Sequence, residues 1–316
     1  MDYGIYILTG SPTIIGNTIR GNNIGINVIA EGPLIIGNII NFNNFGIAVG
    51  GLFGNPSPTI TGNIITGNSL GIFIFRGSAA IIGNTIIGNM TKTDGAGIMM
   101  LIGSAAIIGN TITGNSLGII AEDGSATIHF NRIVGNNQGE VENLGPVRWD
   151  AENNWWGSNA DPSSKISGNV DFDPWFILNV SANPDYIQVG GTSTITADFT
   201  QNSDGQDTSS MGHIPDGTAV TFTTDLGNLG SKSVLKYTLN GKATTTLITD
   251  EGAGTATVSA QTDNQTVQTI VIIQAPGPTP EAGAITVPMQ PTGVPLGFLA
   301  MAVLMIFVGS LMPKRK

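Results

Sequence analysis

Along the first part of the chain, apolar and polar positions recur with a fixed spacing. An isoleucine stands three residues before an asparagine (Ile14, Ile35, Ile60, Ile81, Ile107, Ile128), and another stands two residues after it (Ile19, Ile40, Ile65, Ile86, Ile112, Ile133). The asparagines are Asn17, Asn38, Asn63, Asn84, Asn110 and Asn131, at intervals of 21, 25, 21, 26 and 21 residues. A second asparagine follows each of them by five: Asn22, Asn43, Asn68, Asn89, Asn115 and Asn136. Gly-Ile-x-apolar comes next, as in Gly25-Ile26 with Val28 and Gly71-Ile72 with Ile74. Agreement at so many positions over a fixed period marks an internal repeat.

Segments of three to five residues with alternating apolar positions, separated by Gly/Asn turns, predict strands. A 21-residue unit of two or three such strands cannot bury its apolar side alone. It can if each coil stacks on the next, about 4.8 Å away, and this predicts a parallel β-solenoid. The isoleucines then form interior stacks, each side chain contributing roughly 1.5–3 kcal/mol of burial. An inward asparagine at a turn is able to bond backbone and the amides above and below it, so the two asparagine columns predict ladders. The segments GLFGNPSP (51–58) and MTKTDGAG (90–97) are insertions, the kind of place where solenoids either bind or simply tolerate extra loop. Alternation turns the position two before the first asparagine outward. There Ile15, Ile36, Ile82 and Ile108 predict an apolar stripe and a contact surface, with Thr61 and His129 in the same column. Because residues 4–19 align with 71–86, the chain begins in mid-coil, which predicts further coils and an export signal upstream of Met1.

The pattern decays after Asn136, where Trp149, Trp155, Trp156 and Trp175 gather. Large aromatics there suit a cap over the open core, with a stacking platform for sugar rings as the sharper alternative. Residues 1–178 therefore read as solenoid plus cap. Residues 179–273 turn to Thr-rich alternation (STITADF, TAVTFTT, ATTTLIT, GTATVSA), which predicts a β-sandwich. A Pro/Gly-rich linker (274–293) leads to an uncharged stretch at 294–312, long enough at ~28 Å as a helix to span a bilayer. Lys314, Arg315 and Lys316 within the 313–316 tail predict a cytoplasmic C-terminus with the bulk of the chain outside. Thr292-Gly293 match only the end of a Leu-Pro-x-Thr-Gly sorting signal, so a plain membrane anchor is the simpler reading.

Charge and composition narrow the chemistry. The 316 residues include no cysteine and 44 glycines, and 12 basic against 22 acidic residues give a net charge of −10. Thiol chemistry is excluded, and the acidic surface argues against nucleic acid as a partner. The two histidines, His129 and His213, fall in different domains, and no column of Asp repeats. Asp123, Glu140, Glu142, Asp150, Glu152, Asp171 and Asp173 crowd toward the last coils, as a solvated surface or as a calcium site of the lyase kind. No acid/base pair is identifiable, so no catalytic residue, metal ligand or cofactor is expected. Sequons at Asn89, Asn179 and Asn264 are compatible with glycosylation outside the membrane.

The Gly-Asn-x-Ile repeats closing on NNWWG and DFDPWF resemble the right-handed parallel β-helix domains of adhesin-like surface proteins of methanogenic archaea. Residues 179–273 resemble the invasin/intimin-type bacterial immunoglobulin-like domain, through Asn183-Pro184, Pro215-Asp216-Gly217-Thr218, Asn240-Gly241 and Gly254-Thr255-Ala256-Thr257-Val258. These resemblances imply an all-β chain: a right-handed parallel β-helix, an Ig-like spacer and a single membrane span. They imply adhesion or cell-envelope structure, with surface glycans or envelope proteins as partners. β-Helices also occur in polysaccharide lyases and sugar-hydrolysing domains, so a carbohydrate-active enzyme is the rival expectation.

Overall fold

The computed structural model describes residues 2–51, 54–90 and 95–277. The repeat region is a parallel β-solenoid in which each coil contributes three short strands. In the first coils these are Thr13–Ile15, Thr18–Arg20 and Ile24–Val28, then Leu34–Ile36, Ile39–Asn41 and Phe45–Val49. Each pairs with its equivalent one coil on, so that Ile14 faces Ile35, Ile19 faces Ile40 and Ile26 faces Ile47. In later coils the third strand runs without interruption into the first strand of the next, as in Ala96–Ile108 and Leu117–His129.

Alternation explains what is inside. From the second coil onward the isoleucines before and after the first asparagine are fully buried, and Ile26, Ile47, Ile72, Ile98 and Ile119 form a third column beside them. Two kinds of glycine are required. Gly25 and Gly46 lie where coils approach closely: a Cβ on Gly46 would sit 2.5 Å from the Gly71 carbonyl oxygen, closer than any side chain permits. The glycine before each ladder asparagine instead adopts positive φ, for example 64° at Gly37 and 65° at Gly88. Two phenylalanines stand at this turn position: Phe42 (φ 55°) and Phe130 (φ 61°), in a conformation that costs a non-glycine residue roughly 1–2 kcal/mol.

The chain passes into a second set of sheets at Phe176, three residues ahead of the expected start at 179. Phe176–Asn183 already pairs with Thr192–Asn202, which pairs with Lys242–Ile248. The facing sheet holds Tyr186–Gln188, Gln265–Gln274, Gly254–Thr262, Ala219–Thr224 and Ser233–Tyr237. Strands of period two place Ile195, Phe199, Phe222, Leu247, Val258 and Val271 in one buried core between the sheets.

Solenoid and sandwich meet through shared packing. Val134 and Trp155 of the solenoid belong to the sandwich core, and the Trp155 ring meets Phe199 edge-on at 5.1 Å. Asp263, in the turn between two sandwich strands, accepts from Trp155 Nε1 (2.7 Å) and Arg132 Nε (3.0 Å) and pairs with the rest of the Arg132 guanidinium. Phe130, held at its strained turn, lies beside Phe176 and under Gly212, where a Cβ would strike its ring. The expected membrane span at 294–312, the basic tail and nearly all of the 274–293 linker lie outside the described residues. Among the described residues no helix is long and apolar enough to cross a membrane.

Candidate functional site

The solenoid's most repeated polar groups are engaged in holding its shape. Asn38 shows the pattern: its main-chain N–H (2.9 Å) and its Nδ2 (3.0 Å) both donate to Asn63 Oδ1, and Nδ2 also donates to the Ile14 carbonyl of the preceding coil (2.9 Å). The same link runs from Asn17 through Asn38, Asn63, Asn84 and Asn110 to Asn131. A parallel one runs from Asn22 through Asn43, Asn68, Asn89 and Asn115 to Asn136. Asn17 and Asn22 lie at the outer rung, while Asn38 to Asn131 and Asn43 to Asn136 are buried.

The spacing does not reveal how these ladders end. The first gains a rung at Asn154, whose Oδ1 accepts from the Asn131 N–H and Nδ2, both at 2.9 Å. The second ends on a carboxylate: Glu140, buried, accepts from Asn136 Nδ2 (2.5 Å) and from the Gly135 N–H (2.9 Å). Glu140 thus leaves the group of acidic residues considered for a cation. Asn89 leaves the group of sequons, because its side chain is fully buried within the ladder.

The outward column is continuous between coils. Ile15 faces Ile36, Ile36 faces Thr61, Thr61 faces Ile82, Ile82 faces Ile108, and Ile108 faces His129. Ile15 is 64% and Ile82 39% exposed, while Ile36 and Ile108 are half-buried. Phe42 is 69% exposed despite its strained turn. Its signal was present in the sequence, since Asn41-Phe42-Asn43 breaks the rule that glycine precedes a ladder asparagine.

His129, in the same outward column, has a partner. Its Nε2 lies 2.6 Å from Asp150 Oδ1, supplied by the next coil. Asp171 faces Asp150 in register and pairs with Arg148 at 2.6 Å. Burial, then the neighbouring Asp150 and Asp171 charges, push the Glu152 carboxyl above its ordinary pKa, with His129 opposing and Asp173 adding to the rise. Asp123 and Glu142 stand elsewhere, opposite Ile102 and Ile120. Among the described residues no three His, Asp or Glu side chains converge so as to hold a metal ion, and the calcium expectation finds no ligand set there.

Three of the four tryptophans cannot serve as a sugar platform. Trp149, Trp155 and Trp156 are fully buried, so their faces are closed to a ligand. Trp149 and Trp156 pack onto the isoleucine core, and Trp149 Nε1 donates to the Gly124 carbonyl (2.9 Å). Trp155 serves the sandwich core, and Trp175 is half-buried beside Phe172.

No curated protein matches the chain. Among solved structures, the crystal structure of the S-layer protein SbsC domains 4 and 5 aligns with 36% of this chain at 17% identity and a TM-score of 0.20. That alignment spans 62% of the SbsC chain. Residues 1–106 match the family model described as Right handed beta helix region, and the solenoid built here is accordingly a right-handed parallel β-helix.

Proposed function

We propose that this chain is a membrane-anchored, outward-facing surface protein of the adhesin-like or cell-envelope kind. Its β-helix binds partners or glycans without catalysis, and the sandwich is an Ig-like spacer between the helix and the membrane. The observation that carries this reading is the outward isoleucine column on a face whose neighbouring asparagines are occupied by the ladders. A rigid face of exposed apolar side chains favours contact with another surface. The uncharged stretch at 294–312 followed by Lys314, Arg315 and Lys316 supports the anchor and its orientation.

The column is tested by Ile36→Ser with Ile82→Ser in the full chain displayed on cells. Association with partner cells or glycan-coated surfaces is expected to fall about tenfold. Stability should shift by about 1 kcal/mol or less, as usual for surface substitutions. Unaltered association would remove the column from the contact. The rival reading, a surface-displayed polysaccharide lyase or hydrolase, would draw on His129, Asp150 and Glu152, the pair and the raised carboxyl that lie together at the last coils.

A further inference from the structure

The outer side of the sheet containing Ile24–Val28, Phe45–Val49 and Leu70–Ile74 carries a groove of about 320 Å³. Its shape follows from one small residue in an outward column. Asn27, Ala48 and Phe73 face one another in successive coils, and Ala48 leaves a dip between the other two. Phe45 and Phe73 form one wall, with ring centroids 5.5 Å apart and planes tilted by 45°. Ile24, Val49 and Phe75 add to the apolar lining, together with Gly50 and Gly51, and no charged side chain among the described residues borders the groove.

Asn27 is the exception within this apolar surface. It is only 8% exposed, it lines the groove, and its amide has no hydrogen-bond partner among the described residues. The ladder asparagines show what the fold does with a buried amide when it serves structure: each one is bonded to its neighbours. The Asn27 amide is not sealed from solvent, so its unmet donor and acceptor are reached through the groove, where a ligand that supplies both can meet them. The lining asks for a neutral ligand with a flat apolar face, and Asn27 asks for an amide on the same ligand. Clefts of this size, mostly apolar with one placed polar group, are ordinary small-ligand sites.

We propose that this groove binds an N-acylated sugar unit of a neutral glycan. The C–H face of the ring lies on Phe45 and Phe73, the N-acyl amide exchanges hydrogen bonds with Asn27, and the hydroxyls point to solvent. A peptide fits less well, because its repeated backbone amides would be desolvated against a lining that offers one partner. Acidic sugars meet no cation here, on a chain of net charge −10. This inference rests on the reading of the β-helix as a glycan-binding surface and names the site and the sugar class.

The test is calorimetric titration of the full chain in detergent micelles with the tetramer of N-acetylglucosamine and, separately, the tetramer of glucose. The acetylated tetramer is expected to bind about tenfold more tightly. Asn27→Leu should erase that preference without lowering the unfolding midpoint, and Ala48→Leu, which fills the dip, should weaken both ligands about tenfold. The proposal is overturned if neither sugar binds at millimolar concentration, if both variants bind as the parent does, or if a neutral apolar peptide competes in the groove. Protease shaving of intact cells reads the surface assignment separately. Asn27-dependent sugar binding by a chain that shaving cannot reach would keep the groove and reject the surface role.

Discussion

Replacing Asn110 by alanine is expected to cost the fold about 3–5 kcal/mol, as two groups on the preceding coil lose their partners at once. Its Oδ1 accepts from the Asn84 N–H (2.8 Å) and from Asn84 Nδ2 (3.0 Å). Its Nδ2 donates to the Ile81 carbonyl (2.8 Å) and to Asn131 Oδ1 (3.0 Å). Alanine leaves the Asn84 N–H and the Ile81 carbonyl without these bonds inside the solenoid, at about 1–3 kcal/mol each, and opens a small cavity. Aspartate is no remedy, since a carboxylate accepts but cannot donate, and it would bring a charge into the interior. Asn17→Ala is the internal control. That residue is exposed at the outer rung, where water replaces the lost bonds, and its loss should cost under about 1 kcal/mol. Urea unfolding with unchanged slope reads both values. Equal costs for the two substitutions would mean that the ladders contribute little.

Asp263→Ala is the second large effect, expected at about 3 kcal/mol. The Asp263 side chain is 9% exposed and that of Arg132 19%, so the mutation leaves a nearly buried guanidinium and the Trp155 Nε1–H without an acceptor. Because these groups join solenoid to sandwich, calorimetry should show the melting transition move down and split in two. Asp263→Asn should do less, since its carbonyl oxygen still accepts from Trp155. A single transition at the parent temperature would show that apolar packing of Trp155 on Phe199 alone couples the domains.

The coil was legible in the sequence because each of its physical requirements repeats. The isoleucine columns, the interval of 21 residues and the glycine at positive φ all recur, and stacking turns recurrence in sequence into adjacency in space. Features that occur once were not legible. The first ladder ends on Asn154 after an interval of 23 residues, and the second on a residue of another type, Glu140, only four residues past Asn136. Both depend on how the chain leaves the regular coil. The tryptophans were visible as a cluster, but the division of Trp149 and Trp156 from Trp155 depends on the sandwich that docks beside them. The Arg132–Asp263 pair spans 131 residues, and nothing local connects its members. In the sequence His129 has only its column to place it, and Asp150 reaches it because the irregular last coil brings in a carboxylate one coil later. The groove at Asn27 depends on three coils of different composition, Asn27, Ala48 and Phe73, so it is visible only once the register is known.

Binding without turnover is read most directly by presenting the full chain, on cells or in micelles, with a panel of polysaccharides. Retained glycan and released oligosaccharides are then measured by mass spectrometry. The expected result is retention with no product above the level of heat-denatured protein. Release of oligosaccharides that is lost in His129→Ala or Glu152→Gln would contradict it, and would make the last coils of the β-helix an active site.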